Sequence, residues 1–132
     1  MMKNCKLCEC VICHENDSVV EISKLLRDTG ARHVFVVDAN EAPMGIISTV
    51  DINNKVIAQE KDPKKLKAKD IMTAPVSSVD CHEPVEKAFL IMTEKGTYSC
   101  PVTKDKKIIG MATYTDVARH LAEKGKKMPK VK

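Results

Sequence analysis

The chain has 132 residues, 43% of them apolar and 30% charged, which fits one folded unit, or two very small ones sharing a core, and excludes a disordered chain. No apolar run approaches the roughly 18 residues of a membrane span, and the first twenty residues hold no apolar leader stretch, so a cytoplasmic protein without membrane partners is expected. The net charge of +4 is uneven: stretch 61–69 carries +4 and stretch 124–132 carries +5, which leaves −5 on the remainder.

The two basic ribbons contain neither an arginine nor an aromatic residue, so they read as a solvated linker and a tail, not as a base-reading surface. The whole chain has two Tyr, two Phe and no Trp. Single-strand nucleic-acid modules stack bases on aromatic rings, so nucleic acid is not an expected partner.

In chain order, Val11 and Ile12 open a short β-branched strand. Asp17 and Ser18 are helix starters, and Val19, Ile22, Leu25 and Leu26 form one apolar helical stripe that Gly30 ends. A buried strand follows at 34–37, then a turn at 38–43 and a second strand at 44–47. Ser48 and Asp51 open a further helix over 51–59. The Lys-rich 61–69 comes next. A strand is expected around 76–79, then Glu83 and Pro84 before a stripe of Val85, Ala88, Phe89 and Met92, with Gly96 as its stop. Strands at 100–102 and 107–112 lead into a helix over 116–124.

The second half repeats the first. Residues 45–52, GIISTVDI, match 110–117, GMATYTDV, at an offset of 65: Gly, two apolar residues, a hydroxyl, two variable positions, Asp and a β-branched residue. The same offset aligns Val20 and Glu21 with Val85 and Glu86, and Val11 with Val76, with a one-residue indel at the helix end, where Gly30 meets Gly96. Each copy is a β-α-β-β-α unit, and one such unit alone has a marginal core. The expected fold is α/β (α+β): two β-α-β-β-α repeats packed with pseudo-twofold symmetry through their small sheets. The expected division is 6–60 for the first repeat, 61–69 for the linker, 70–124 for the second repeat and 125–132 for the tail.

The hydroxyl-x-x-Asp motif allows two explanations. It is half of a helix cap, with Ser48 or Thr113 capping and the acid complementing the helix dipole. It also suits a ribose-phosphate holder: unpaired N–H groups at a helix start favour an anion, and a carboxylate can accept from both hydroxyls of a ribose. Gly45 and Gly110 allow close approach of a neighbouring backbone. The chain has three Arg, and two of them stand near these motifs: Arg32 beside His33, and Arg119 one turn after Asp116.

The doubled Gly-apolar-apolar-Ser/Thr-x-x-Asp motif, the DIMT run at 70–73 and the Pro101–Val102 strand together resemble a tandem pair of CBS domains, a Bateman module. The resemblance covers about residues 6 to 122. The first copy departs from it in two places: KLCEC at 6–10 stands where the second copy has IMTAP at 71–75, and Phe35 stands where the family usually places Pro. The resemblance implies an adenosyl ligand (AMP, ADP, ATP or an S-adenosyl compound) held between the repeats and regulating an unidentified protein. It implies a homodimer, and no catalytic cofactor. Ser48 and Thr113 would lie near phosphate, and Asp51 and Asp116 on ribose. The backbone at Ile12, Cys13, Ser77 and Ser78 would face adenine. Arg32, His33, Thr115 and Arg119 complete the candidate set.

Catalysis is not expected: the four His form no H-E-x-x-H spacing, and no Walker or G-x-G-x-x-G loop is present. Cys5, Cys8, Cys10 and Cys13 form C-x2-C-x-C-x2-C. Four ligands so close cannot easily surround one ion, so these thiols read as core or incidental residues and no metal site is assigned. The competing reading is a metal- or redox-responsive protein with these cysteines as sensor and the repeat pair as scaffold.

Overall fold

The computed structural model describes residues 1–125, so the expected basic tail lies outside the described residues from 126 on. The first repeat contains β1 (Ile12–His14), α1 (Val19–Thr29), β2 (His33–Val37), β3 (Pro43–Ser48) and α2 (Thr49–Ile52). A short α3 (Ala68–Ile71) follows the Lys-rich stretch. The second repeat contains β4 (Val79–Asp80), α4 (Val85–Lys95), β5 (Ser99–Lys104), β6 (Lys107–Thr113) and α5 (Tyr114–Glu123). Two three-stranded sheets result, ordered β1-β2-β3 and β4-β5-β6, each with one parallel and one antiparallel pairing. The architecture is mixed α+β, as the duplicated pattern predicts.

Local chemistry sets the helix limits. Ser18 caps α1 by accepting from the Glu21 N–H at 3.1 Å. Gly30 and Gly96 end α1 and α4 at φ 71° and 67°, a left-handed conformation that glycine adopts without a Cβ clash. Val19, Ile22 and Leu26 bury the α1 stripe, as Val85, Ala88 and Met92 bury that of α4.

These matches place α1 and α4 at an offset of 66, not 65. Val19, not Val20, is the counterpart of Val85. The indel therefore lies in the first hairpin: nine positions separate the paired Val36 and Gly45, and eight separate Val102 and Gly110. Both hairpins carry the same register shift directly after that valine, and the added residue lies beyond it, in the turn: six positions separate the paired Val37 and Pro43, and five separate Thr103 and Ile108.

Three other elements differ from expectation. β4 is only Val79–Asp80, because Ser77 and Ser78 offer little apolar surface to a sheet. The helices after the motifs begin at Thr49 and Tyr114, because the hydroxyl residue is the cap and the Asp is the third helical residue. Beyond Ile52 the first of them widens into a π-helical turn, Asn53–Ile57, with the Ala58 N–H on the Asn53 carbonyl at 2.8 Å and Val56 fully buried.

The chain forms two compact units that do not follow chain order. One is Cys10–Val76; the other joins Met1–Glu9 to the chain from Ser77 onward. In the first unit, the segment after the Lys-rich stretch borders β3: Ile46 and Thr73 exchange backbone hydrogen bonds at 3.0 and 2.9 Å. In the second, the N-terminal segment borders β6: Cys8 and Met111 do the same at 2.9 and 3.0 Å. Each sheet is thus edged by the segment that precedes the other repeat. Ala68 and Ile71 join the core around Ile22 and Val34, while Met2 and Cys5 join that around Phe89 and Val102.

Candidate functional site

In the Cys10–Val76 unit, Ser48 ends β3 and caps α2. Its hydroxyl accepts from the Asp51 N–H at 3.2 Å, and Asp51 Oδ2 accepts from the Ser48 N–H at 2.9 Å, a complete capping box. The other carboxylate oxygen faces two donors: Thr73 Oγ1 at 3.4 Å and Lys55 Nζ at 3.1 Å. Lys55 also donates to the Ile71 carbonyl at 2.9 Å. The Asp51 side chain keeps 16% exposure. Arg32 is exposed and its carbonyl accepts from the Thr49 N–H at 3.2 Å, which fixes the start of α2. His33 is half-buried, edge-on to Phe35 with ring centroids 5.2 Å apart, and burial lowers its pKa. Ile12 is half-buried, whereas the Cys13 side chain lies in the core, where burial pushes its pKa to about 12.

The second unit repeats the arrangement with other chemistry. Thr113 caps α5, accepting from the Asp116 N–H at 3.2 Å. Asp116 Oδ2 accepts from the Cys8 thiol at 3.5 Å, and Oδ1 pairs with Arg119 Nη1 at 3.2 Å. Its side chain is 12% exposed. The Thr113 hydroxyl first, then the Cys8 thiol and the cations Lys6 and Arg119, hold its pKa below the usual carboxylate value. Thr115 is exposed on the first turn of α5. Ser77 and Ser78 are half-buried ahead of β4, and the Ser77 carbonyl accepts from the Cys100 thiol at 3.6 Å.

Each carboxylate therefore meets a cap, a cation and a donor from the bordering segment. Sequence reasoning named the cap and one cation, Arg119; it missed Lys55, Thr73 and Cys8. The signal was present, since Cys8 and Thr73 stand 65 residues apart, as do Ser48 and Thr113. What hid it is the exchange of bordering segments, which puts Thr73 on Asp51 and Cys8 on Asp116.

The four N-terminal thiols divide between the two units. Cys5 and Cys13 are buried in different cores, and Cys8 and Cys10 fall in different units. All six cysteines are free thiols.

A CBS domain profile matches residues 3–58 and 68–123, nearly the whole chain. The chain belongs to the CBS domain family. Among curated proteins, an uncharacterized Methanopyrus kandleri protein, MK0525, is 35% identical over 102 residues, which cover 76% of this chain and 52% of that protein. An L-aspartate semialdehyde sulfurtransferase of Methanocaldococcus jannaschii is 30% identical over 110 residues, 83% of this chain but 21% of the enzyme. The chain thus spans about half or less of the first curated relatives it matches. Among solved structures, the CBS domain pair of protein MJ0100 in complex with 5′-methylthioadenosine and S-adenosyl-L-methionine is 28% identical, with a TM-score of 0.72 over 94% of this chain and 97% of that one. Hypoxic Response Protein I with two coordinated zinc ions shares the fold at 20% identity, with a TM-score of 0.76 over 91% of this chain and 98% of that one. No helix of the described residues is long and apolar enough to cross a membrane.

Proposed function

We propose that this CBS pair is a regulatory sensor that binds an adenosyl ligand, an adenine nucleotide or an S-adenosyl compound, and modulates a partner protein without chemical turnover. The observation that carries this reading is the doubled constellation of a capping hydroxyl, an Asp at the third helical position and a donor from the bordering segment. The adenosyl complexes of the MJ0100 pair support it.

The geometry supports a mechanism of partner exchange. Asp51 and Asp116 have their lone pairs engaged by Thr73 and Lys55, and by Cys8 and Arg119. A ribose diol supplies two O–H donors that replace such partners, and the displaced Lys55 or Arg119 then meets the ligand's phosphate or carboxylate. With so few aromatics, adenine is held by aliphatic side chains and strand backbone, around Ile12 and Cys13 in the one unit and around Ser77 and Ser78 in the other. The exposed apolar Val50 and Ile57 give the same chain a surface for homodimer packing.

The test is a thermal-shift series with AMP, ADP, ATP, S-adenosylmethionine and 5′-methylthioadenosine. At least one should raise the melting temperature of the wild type, and that shift should vanish in the double variant Asp51→Ala/Asp116→Ala. Absence of any shift, or its persistence in the double variant, overturns the reading.

A further inference from the structure

The turn between β4 and α4 reads Asp80-Cys81-His82-Glu83. Its first three side chains converge. His82 Nδ1 lies 3.1 Å from Asp80 Oδ1 and 3.5 Å from Cys81 Sγ, and the three ligand atoms all fall within 4.8 Å of one another. Among the described residues this is where three such atoms come so close. A tetrahedral zinc ion with bonds of about 2.3 Å to sulfur and about 2.1 Å to nitrogen or oxygen needs ligand separations of about 3.6 Å for S–N and about 3.4 Å for N–O. The observed 3.5 and 3.1 Å are within a few tenths of an ångström of that geometry.

The turn is held by its backbone and by the side chains of Asp80 and Glu83, with the His82 N–H donating to Asp80 Oδ1 at 2.9 Å. The Glu83 N–H donates to the Asp80 carbonyl at 2.9 Å, and the Asp80 N–H donates to Glu83 Oε1 at 2.9 Å. The Cys81 N–H is fixed on the Thr103 carbonyl at 2.8 Å. The first repeat forms the same turn: the Asp17 N–H donates to the His14 carbonyl at 3.0 Å, and the His14 N–H to Asp17 Oδ2 at 2.8 Å. There the matching positions are His14, Glu15 and Asn16, with no thiol. The fold asks for the turn in both repeats; the thiol–imidazole–carboxylate set belongs to the second alone.

We infer that Asp80, Cys81 and His82 form a binding site for a thiophilic divalent cation of the zinc type, with an open fourth position for water or an outside ligand. The thiolate and imidazole select zinc over magnesium or calcium, which prefer all-oxygen shells. Binding converts the Cys81 thiol to a thiolate and releases one proton per ion, while the His82 proton resides on Nε2. The site also has a structural consequence within its unit. The N-terminal turn rests on this loop, with the Lys3 N–H on the Cys81 carbonyl at 2.8 Å and the Met2 N–H on the Glu83 carbonyl at 2.8 Å. A bound ion clamps the loop that seats the segment leading to Cys8 and Asp116. The inference does not depend on adenosyl binding.

The experiment uses the full chain, reduced with a non-chelating phosphine. Zinc is titrated in competition with a chromophoric chelator, and cobalt(II) substitution reports the ligand set. One ion per chain is expected, with a cobalt spectrum showing thiolate charge transfer and a tetrahedral visible band. His82→Gln alters an exposed side chain and Asp80→Asn keeps the bond from the His82 N–H, so both variants should fold. Each should weaken zinc binding by about tenfold or more and abolish the zinc-dependent rise in melting temperature. Cys10→Ser should bind zinc like the wild type. No binding at micromolar free zinc, unchanged affinity in His82→Gln, or loss of binding in Cys10→Ser would each overturn the inference.

Discussion

Two glycines show how single atoms define the site. A Cβ on Gly45 would lie 2.8 Å from Met72 Sδ and 2.9 Å from the Thr73 carbonyl oxygen. On Gly110 it would lie 3.1 Å from the Cys8 carbonyl oxygen and 3.4 Å from Leu7 Cβ. Both glycines let the bordering segment approach the strand closely enough for Thr73 or Cys8 to reach its carboxylate. Gly45→Ala should therefore destabilise the protein by about 1–3 kcal/mol, since the carbonyl it meets is fixed by the Ile46 pairing. Gly110→Ala, with the looser fit, should cost less. Urea unfolding of both variants checks the ranking, and equal midpoints would contradict it. The requirement for close approach was readable from the repeated Gly. The identity of what approaches was not, because a strand glycine records available space and not its neighbour.

At the scale of elements, the legible parts are those with a dense local signal. The α1 and α4 stripes, their glycine stops and the β2 and β5 strands follow directly from apolar periodicity and cap chemistry. The 65-residue offset failed inside the helices because α1 starts with two valines, Val19 and Val20, so a one-residue slip keeps a plausible pairing with Val85 until Gly30 meets Gly96. The π-helical turn over Asn53–Ile57, which includes the fully buried Val56, was equally hidden, since no local cap or periodicity marks it. The two explanations of the hydroxyl-x-x-Asp motif, cap and ligand holder, turn out to be compatible at the level of atoms. The caps form, and the Asp oxygens that face Lys55 or Arg119 still point outward to exchangeable cations. The cap has a cost of removal that is separable from binding. Ser48→Ala removes the hydroxyl half of the α2 box, leaves the bond from its own N–H to Asp51 Oδ2, and should destabilise by about 1 kcal/mol. Because α2 has only four regular residues before it widens, hydrogen exchange should rise at amides 49–57 more than elsewhere. A uniform rise would mean that the cap acts only on global stability.

For the whole molecule, the main departure from a reading in chain order is the exchange of bordering segments. Two sequence repeats predict two units that each begin at their own lead-in; the structure instead assigns Met1–Glu9 to the unit that starts at Ser77. Nothing in local periodicity encodes that choice, because backbone pairing of Cys8 with Met111 and of Thr73 with Ile46 is set by strand edges distant in sequence. The consequence is a long-range dependence. Met2 is 0% exposed and packs in the core with Phe89, Met92 and Leu121, although more than eighty residues separate it from them. Met2→Ala should remove about 2–5 kcal/mol, the cost of emptying a core position that cannot fully collapse. Its signature is regional: amide protection should fall first in α4, β5, β6 and α5, and less in β2 and β3. Ile71→Ala, in the other core, should give the reverse pattern. Hydrogen exchange followed by mass spectrometry distinguishes the two. Loss of protection confined to the first repeat on changing Met2 would place the N-terminal segment with the repeat that follows it in sequence, and would break the link drawn here between Cys8 and Asp116.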